Sequence, residues 1–205
     1  MAEPRRTPTT VAPENPALEL ARAAASGDVA ATRRLLESVA PRMMRVVQIV
    51  LGARHPEVDD VMQQSLIALV QALPAFRGEC SPASYASRIA VRTAVAARKR
   101  TRAREQRCED GVDADTLASS QAAPSEEARS HRRKQIIRDL LSEIPDEQAD
   151  SMAMRFVLGW SLEEVARATN APVNTVRSRL RLAKAALKKR IVSDPMLVEE
   201  LGEES

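Results

Sequence analysis

With 205 residues, 44% of them hydrophobic, the chain has apolar side chains enough for one ordinary domain or two small ones, which excludes a wholly disordered protein. Aromatic residues supply only 2% while Ala, Leu, Arg and Glu abound, so the composition predicts helices packed through aliphatic side chains and almost no strand. The net charge of +3 conceals a segregated distribution, and with Cys80 and Cys108 the only cysteines, a disulfide framework is excluded and a reducing cytoplasm is the natural setting.

Residues 1–16 hold Pro4, Pro8, Pro13 and Pro16 without an apolar run, which predicts a disordered tail and no secretory leader. A short helix follows from Leu18 to Ala25, ended by Gly27-Asp28. The next runs from about Val29 to Leu51, where Val39, Met43, Val46, Val47 and Val50 make one apolar stripe and Gly52 stops it. After His55-Pro56, a third helix from about Glu57 to Ala72 places Val58, Val61, Met62, Leu66, Leu69 and Val70 inward and Asp59, Asp60, Gln63 and Gln64 outward. A fourth begins near Pro82, beyond the Phe76-Arg77-Gly78 turn, and continues through Tyr85, Ile89 and Val95 into Arg98-Lys99-Arg100. These helices are expected to form a first domain over 17–107.

The stretch 108–130 has little periodicity and reads as a flexible acidic linker; from Cys108 to Ser130 six acids face one base, Arg129. A second domain is expected over 131–192. It opens with Ile136, Ile137, Leu140, Leu141 and Ile144 on one helix face, stopped by Pro145. Another helix spans about Asp146 to Leu158, and Gly159-Trp160 turns the chain. Ser161 and Glu164 have capping-box spacing at the start of a short helix ending near Thr169, and Asn170-Ala171-Pro172 leads into a last helix from about Asn174. Residues 193–205 read as an acidic tail. The fold class is therefore all-α, two small helical domains joined by a linker.

Two basic stretches flank the linker. From Arg88 to Arg107 eight Arg or Lys stand against the single acid Glu105, and from Asn174 to Arg190 there are seven bases and no acid. Such fields suit contact with a polyanion at two places. The alternative, that Arg98, Lys99, Arg100, Arg102, Arg104 and Arg107 merely solvate a helix end and favour its dipole, asks less charge than is present.

Residues 161–190 form a helix-turn-helix pattern. Val176, Leu180, Ala183, Leu187 and Ile191 point inward; Arg177, Arg181, Lys184 and Lys188, one position on, make a basic stripe outside. In the first turn of such a helix Asn174, Thr175 and Ser178, with Arg177 and Arg179, can reach base edges in a major groove, while the remaining cations hold phosphates.

At these residues a family resemblance enters. Leu141 to Gln148, Gly159 to Ala166 and Pro172 to Leu180 resemble region 4 of the bacterial extracytoplasmic-function (ECF) sigma factors. Ala40-Pro41-Arg42, Asp59 to Gln64, Phe76-Arg77-Gly78 and Arg88-Ile89-Ala90 resemble their region 2. The resemblance covers the chain from Leu18 to Arg190. It implies a transcription initiation factor, not an enzyme. Region 2 (17–107) would dock on the β′ clamp helices of core RNA polymerase and open the promoter −10 element; region 4 (131–192) would bind the −35 element and the β flap. An anti-sigma protein is a further implied partner.

Carried onto this sequence, the polymerase-binding face is Asp59, Asp60, Gln63 and Gln64. The −10 set is Tyr85, Arg88, Arg92, Arg98, Lys99 and Arg100, within a melting segment from Pro82 to Arg104. The −35 set is Asn174, Thr175, Arg177, Ser178, Arg179, Arg181, Lys184 and Lys188. The chain departs from the family pattern where Gln64 replaces an acid, where Pro82 and Tyr85 stand for an aromatic and a Trp, and at Arg92 and Ala96, usually Asn and Asp.

Opening about ten base pairs costs on the order of 14 kcal/mol, whereas each base stacked on an aromatic returns ~1 to 3 kcal/mol. A chain with so few aromatics is expected to melt DNA only inside a polymerase complex, with Tyr85 a core residue. A stand-alone helix-turn-helix regulator and a helical adaptor remain the rival readings. His55 and His131 lack ligand-spaced neighbours, and neither a phosphate-binding glycine loop nor a nucleophile motif is present, so no metal, cofactor or catalytic residue is expected.

Overall fold

The computed structural model describes residues 16–109 and 126–201, and every regular element within them is helical. The N-terminal unit comprises α1 (Pro16–Ala25), α2 (Val29–Leu51), α3 (Val58–Ala72) and α4 (Pro82–Glu109). The C-terminal unit comprises α5 (Glu126–Glu143), α6 (Asp146–Met152), α7 (Leu162–Thr169), α8 (Val173–Val192) and α9 (Pro195–Leu201). A 3-10 turn, Leu73–Ala75, follows α3, and a π turn, Ala153–Val157, follows α6.

In the N-terminal unit, α2 begins where the Asp28 carboxylate accepts the Ala31 N–H at 2.9 Å, satisfying a helix-end donor. It buries Leu35, Val39, Met43, Val46, Val47 and Val50. Opposite, α4 presents Ala86, Ala90, Ala94 and Ala97, all buried, and such small side chains let the two axes approach closely. A polar crossing between them is saturated: Arg42 Nε donates to the buried Ser87 Oγ at 3.0 Å, and that hydroxyl donates to Ala83 O at 2.8 Å. On α3 the buried stripe is Val58, Val61, Met62, Ser65 and Leu69, with the Ser65 hydroxyl returned to Val61 O at 2.7 Å. Val70, expected inside, lies about 100° past Leu69 and is 42% exposed.

In the C-terminal unit Leu140, Ile144, Ala149, Met154, Trp160, Val165, Ala168, Val176, Leu180 and Ala183 are buried. The helix expected from Asp146 to Leu158 loses its α register after Met152. There Leu158 N–H reaches back five residues to Ala153 O at 3.1 Å, and Arg155 Nη1 ties the widened turn to Trp160 O at 2.5 Å.

The expected boundaries move outward. No Gly or Pro interrupts 83–109 or 126–143, so α4 continues to Glu109 and α5 starts at Glu126, each end eating into the linker expected over 108–130. The rest of that linker and residues 1–15 and 202–205 lie outside the described residues. Within the expected acidic tail 193–205, Pro195–Leu201 is helical: Pro195 sits at the first helical position and Asp194 Oδ1 accepts the Met196 N–H at 3.2 Å. Arg132 Nε, 2.5 Å from Glu200 Oε1, ties α9 to α5.

The two units abut, and their buried apolar side chains form one continuous cluster. At one edge of the seam, Arg138 Nε on α5 donates to Ile49 O of α2 at 2.9 Å. The Arg138 guanidinium there lies against Gly52, whose φ of +108° ends α2 in a conformation that favours glycine.

Candidate nucleic-acid interface

The helix-turn-helix is built by three local devices. Ser161 caps α7: its hydroxyl accepts the Glu164 N–H at 3.1 Å while the Glu164 carboxylate accepts the Ser161 N–H at 2.8 Å. Those hydrogen bonds also hold the Glu164 carboxyl below its ordinary pKa. Asn170, at φ +50°, takes the left-handed conformation that closes α7, and α8 follows Pro172. Val176 and Ala183 are fully buried and Leu180 nearly so, which fixes the rotation of α8 about its own axis.

That rotation exposes Arg177, Arg181, Lys184 and Lys188 together, as the spacing predicts. Asn174 is exposed, with its side-chain oxygen accepting from Arg177 Nη1 at 3.1 Å; Thr175 and Ser178 are half-buried at the start of the helix. Arg179 stands apart from the stripe. It is largely covered and held 2.5 Å from Glu147 Oε2, so it ties α8 to α6. Reasoning from sequence missed Phe156, 56% exposed from the π turn, with the Lys184 ammonium 5.1 Å from its ring centre. With Arg155, Leu162, Arg177, Leu180 and Arg181 these two residues line an open groove of about 470 Å³. The register change that aims Phe156 outward carries no sequence signal.

On α3, Asp59, Asp60, Gln63 and Gln64 are exposed together, and Ile67, 51% exposed, extends the face by one turn. Arg100 adjoins it, with Nη2 3.4 Å from Gln64 Oε1.

The α4 set divides. Tyr85 packs against Phe76, its hydroxyl donating to Ala72 O at 2.9 Å, so it is a core residue as expected. Arg88 lies over the Tyr85 ring and donates to Ala168 O of α7. Arg92, exposed along most of its length, reaches within 3.7 Å of Asp150. Arg98 is 4% exposed and bonded to Asp139 on α5; Lys99 donates to Ile144 O at 2.6 Å and to Asp146 on α6. Only Arg100 points wholly elsewhere, and Arg104 turns back to Glu57 at 3.2 Å. Because successive helical residues step about 100° around the axis, consecutive cations spread around α4 and do not make one face.

Asp150 is the most perturbed of these acids. Burial pushes its carboxyl up to about 6, against the opposing pull of Arg92. The two observations agree: its side chain is 14% exposed and the 3.7 Å ion pair is too long to offset the lost water. Near the seam, burial and the Arg98 charge lower the pKa of His55, and burial raises that of Cys80. No group of three or more His, Cys, Asp or Glu among the described residues could hold a metal ion. No helix among them is long and apolar enough to cross a membrane.

Comparison with known proteins fits this geometry. A family model described as Sigma-70 region 2 matches residues 29–104, and one described as Sigma-70, region 4 matches residues 134–187. The ECF RNA polymerase sigma-E factor of Salmonella typhimurium (strain LT2) is 31% identical over 144 residues, covering 66% of this chain and 74% of that protein. The protein of the same name from Escherichia coli (strain K12) is 30% identical over the same length, with the same coverage. Among solved structures, CnrH in complex with the cytosolic domain of CnrY aligns with a TM-score of 0.52 over 88% of this chain and 99% of that one. At 18% identity that likeness concerns the fold alone.

Proposed function

Because the chain belongs to the ECF sigma factors of the sigma-70 family, we propose that its two helical units divide the work of promoter-specific initiation by RNA polymerase as follows. The first turn of α8 enters the major groove of the −35 element with Asn174, Thr175, Arg177 and Ser178, while Arg181, Lys184 and Lys188 hold phosphates. Arg179 is a positioning residue that keeps α8 seated on α6 through Glu147. Asp59, Asp60, Gln63 and Gln64 meet the polymerase clamp. The α4 cations, led by Arg92 and Arg100, meet DNA around the −10 element.

The observation that carries this reading is the rotation of α8, whose buried Val176, Leu180 and Ala183 put an unbroken row of four cations on the outside. The chain acts by binding, as an initiation factor in the cytoplasm, without chemistry of its own. A stand-alone regulator is the weaker reading, since it leaves the N-terminal unit and its exposed α3 face without a task.

Run-off transcription with core polymerase tests the assignment. Wild-type protein stimulates transcripts from matched promoters, and Lys184→Ala with Arg181→Ala weakens −35 binding while flattening the salt dependence by about 0.9 log units per lost phosphate contact. Asp60→Arg abolishes pull-down of core polymerase and leaves binding of the isolated −35 duplex unchanged. Undiminished polymerase binding by Asp60→Arg would remove α3 from the assignment.

A further inference from the structure

We propose that Phe156 is a DNA-contacting residue of the −35 interface: its exposed ring packs on a deoxyribose and holds the Lys184 ammonium against the adjoining phosphate. The groove between the π turn and α8 thereby clamps one strand's backbone. The proposal rests on the reading of α8 as the −35 helix.

The chain has four aromatic side chains, and three of them are engaged elsewhere. Trp160 is buried, and Phe76 and Tyr85 pack on each other. Phe156 is 56% exposed, so much of its ring forgoes the burial that aromatic side chains ordinarily gain. It stands on the π turn, which is braced where Leu158 N–H reaches Ala153 O and where Arg155 Nη1 is fastened to Trp160 O. Widened turns of this kind give up regular helix hydrogen bonding and recur at functional sites.

The surroundings of the ring indicate what it meets. Lys184 Nζ lies 5.1 Å from the ring centre, within cation–π range, so an otherwise flexible stem is restrained by the ring. The groove of about 470 Å³ that the two residues share is also lined by Arg155, Arg177 and Arg181, with Leu162 and Leu180 adding apolar surface and no acid among them. Four cations without a carboxylate attract a polyanion, and the apolar surface between them suits a ligand that alternates anionic with apolar groups. A nucleic-acid strand does so, phosphate following sugar. Three of the four cations belong to α8, so the groove continues the surface assigned to the duplex. Sugar and phosphate contacts carry no sequence information, and the clamp therefore sets affinity and register without choosing the −35 sequence.

The test uses the full chain assembled with core polymerase and a promoter duplex selected by the wild-type complex, in which a neutral methylphosphonate replaces one −35 phosphate at a time. Lys184→Ala identifies the phosphate that Lys184 holds, as the one whose replacement weakens wild type and no longer weakens the variant. Phe156→Ala is expected to bind the unmodified duplex about fivefold more weakly and to lose the penalty at that same phosphate, while the penalties elsewhere persist. Its log affinity should also fall less steeply with log salt, by about 0.9. Phe156→Tyr, which keeps the ring, should restore both.

Phe156→Ala binding as tightly as wild type, or more weakly with every phosphate penalty retained, overturns the clamp. Lost affinity for core polymerase with DNA binding unchanged also overturns it, and gives the groove to a protein partner. If Phe156→Ala fails to fold, Phe156→Leu takes its place, keeping an apolar side chain but no ring; the penalty at the Lys184 phosphate should vanish, and its retention overturns the clamp. Arg181→Ala separates the underlying reading. If neither it nor any −35 methylphosphonate weakens binding, α8 is not the −35 helix, whereas weakened Arg181→Ala beside unaltered Phe156→Ala removes the clamp alone.

Discussion

Asp150 shows how one buried carboxyl couples the seam to pH. Its pKa is raised to about 6 from an ordinary 3.8, so the folded chain holds that proton more tightly than the unfolded one. The stability it contributes is therefore full below about pH 4 and lost as pH rises through about 6. Arg92, Lys99 and Arg179 pull the other way and Asp146 adds to the rise, but burial outweighs them. Replacing Asp150 with Asn removes the penalty of an ionised buried acid. Urea unfolding at pH 7 should show the variant more stable by up to about 3 kcal/mol, with the difference vanishing near pH 4. A gain of equal size at both values would mean that something other than ionisation is being relieved.

Single helices carry the next set of consequences, beginning with the capping box of α7. Ser161→Ala removes one acceptor and leaves the Glu164 N–H without its partner, which should cost about 1 kcal/mol of stability and loosen the turn that sets α8. Denaturant midpoints measure the first effect and −35 duplex affinity the second. In the core, Leu69→Ala on α3 empties a site 1% exposed and should cost about 2 to 5 kcal/mol in the same assay, while −35 binding persists if the helix-turn-helix survives.

Sequence reading succeeds wherever a helix is amphipathic and punctuated. The Ser161 box, the Asn170 turn and the inward row Val176, Leu180 and Ala183 were all legible because each depends on residues within a few positions of one another. It failed at the π turn, at α9 and at the ends of α4 and α5. Those depend on a shifted hydrogen bond, on packing against α5, and on stop signals that the chain lacks. The ion pair between Arg179 and Glu147 was out of reach for a similar reason, since only the folded chain brings the two together.

The same limit governs the whole molecule. A run of cations along α4 reads as one DNA-binding surface in one dimension, but the helix distributes Arg98 and Lys99 toward α5 and α6 and Arg100 and Arg104 toward α3. The acids that receive them, Asp139 and Asp146, belong to the other unit, and no spacing rule links residues 41 and 47 positions apart. A seam of this kind also predicts how the chain unfolds. Calorimetry of the wild type should give one transition in which both units melt together, and Asp139→Lys with Asp146→Lys should split it into two.

Gly52 ends α2 at a φ of +108°, where a Cβ would stand 3.6 Å from Arg138 Nη1, in ordinary contact, and anything longer would meet the guanidinium. A bulky residue at that point would act as a doorstop, propping the halves ajar from a position remote from every assigned promoter or polymerase contact. The backbone conformation that glycine takes at one helix end thus fixes where the chain of α2 turns away beneath α5.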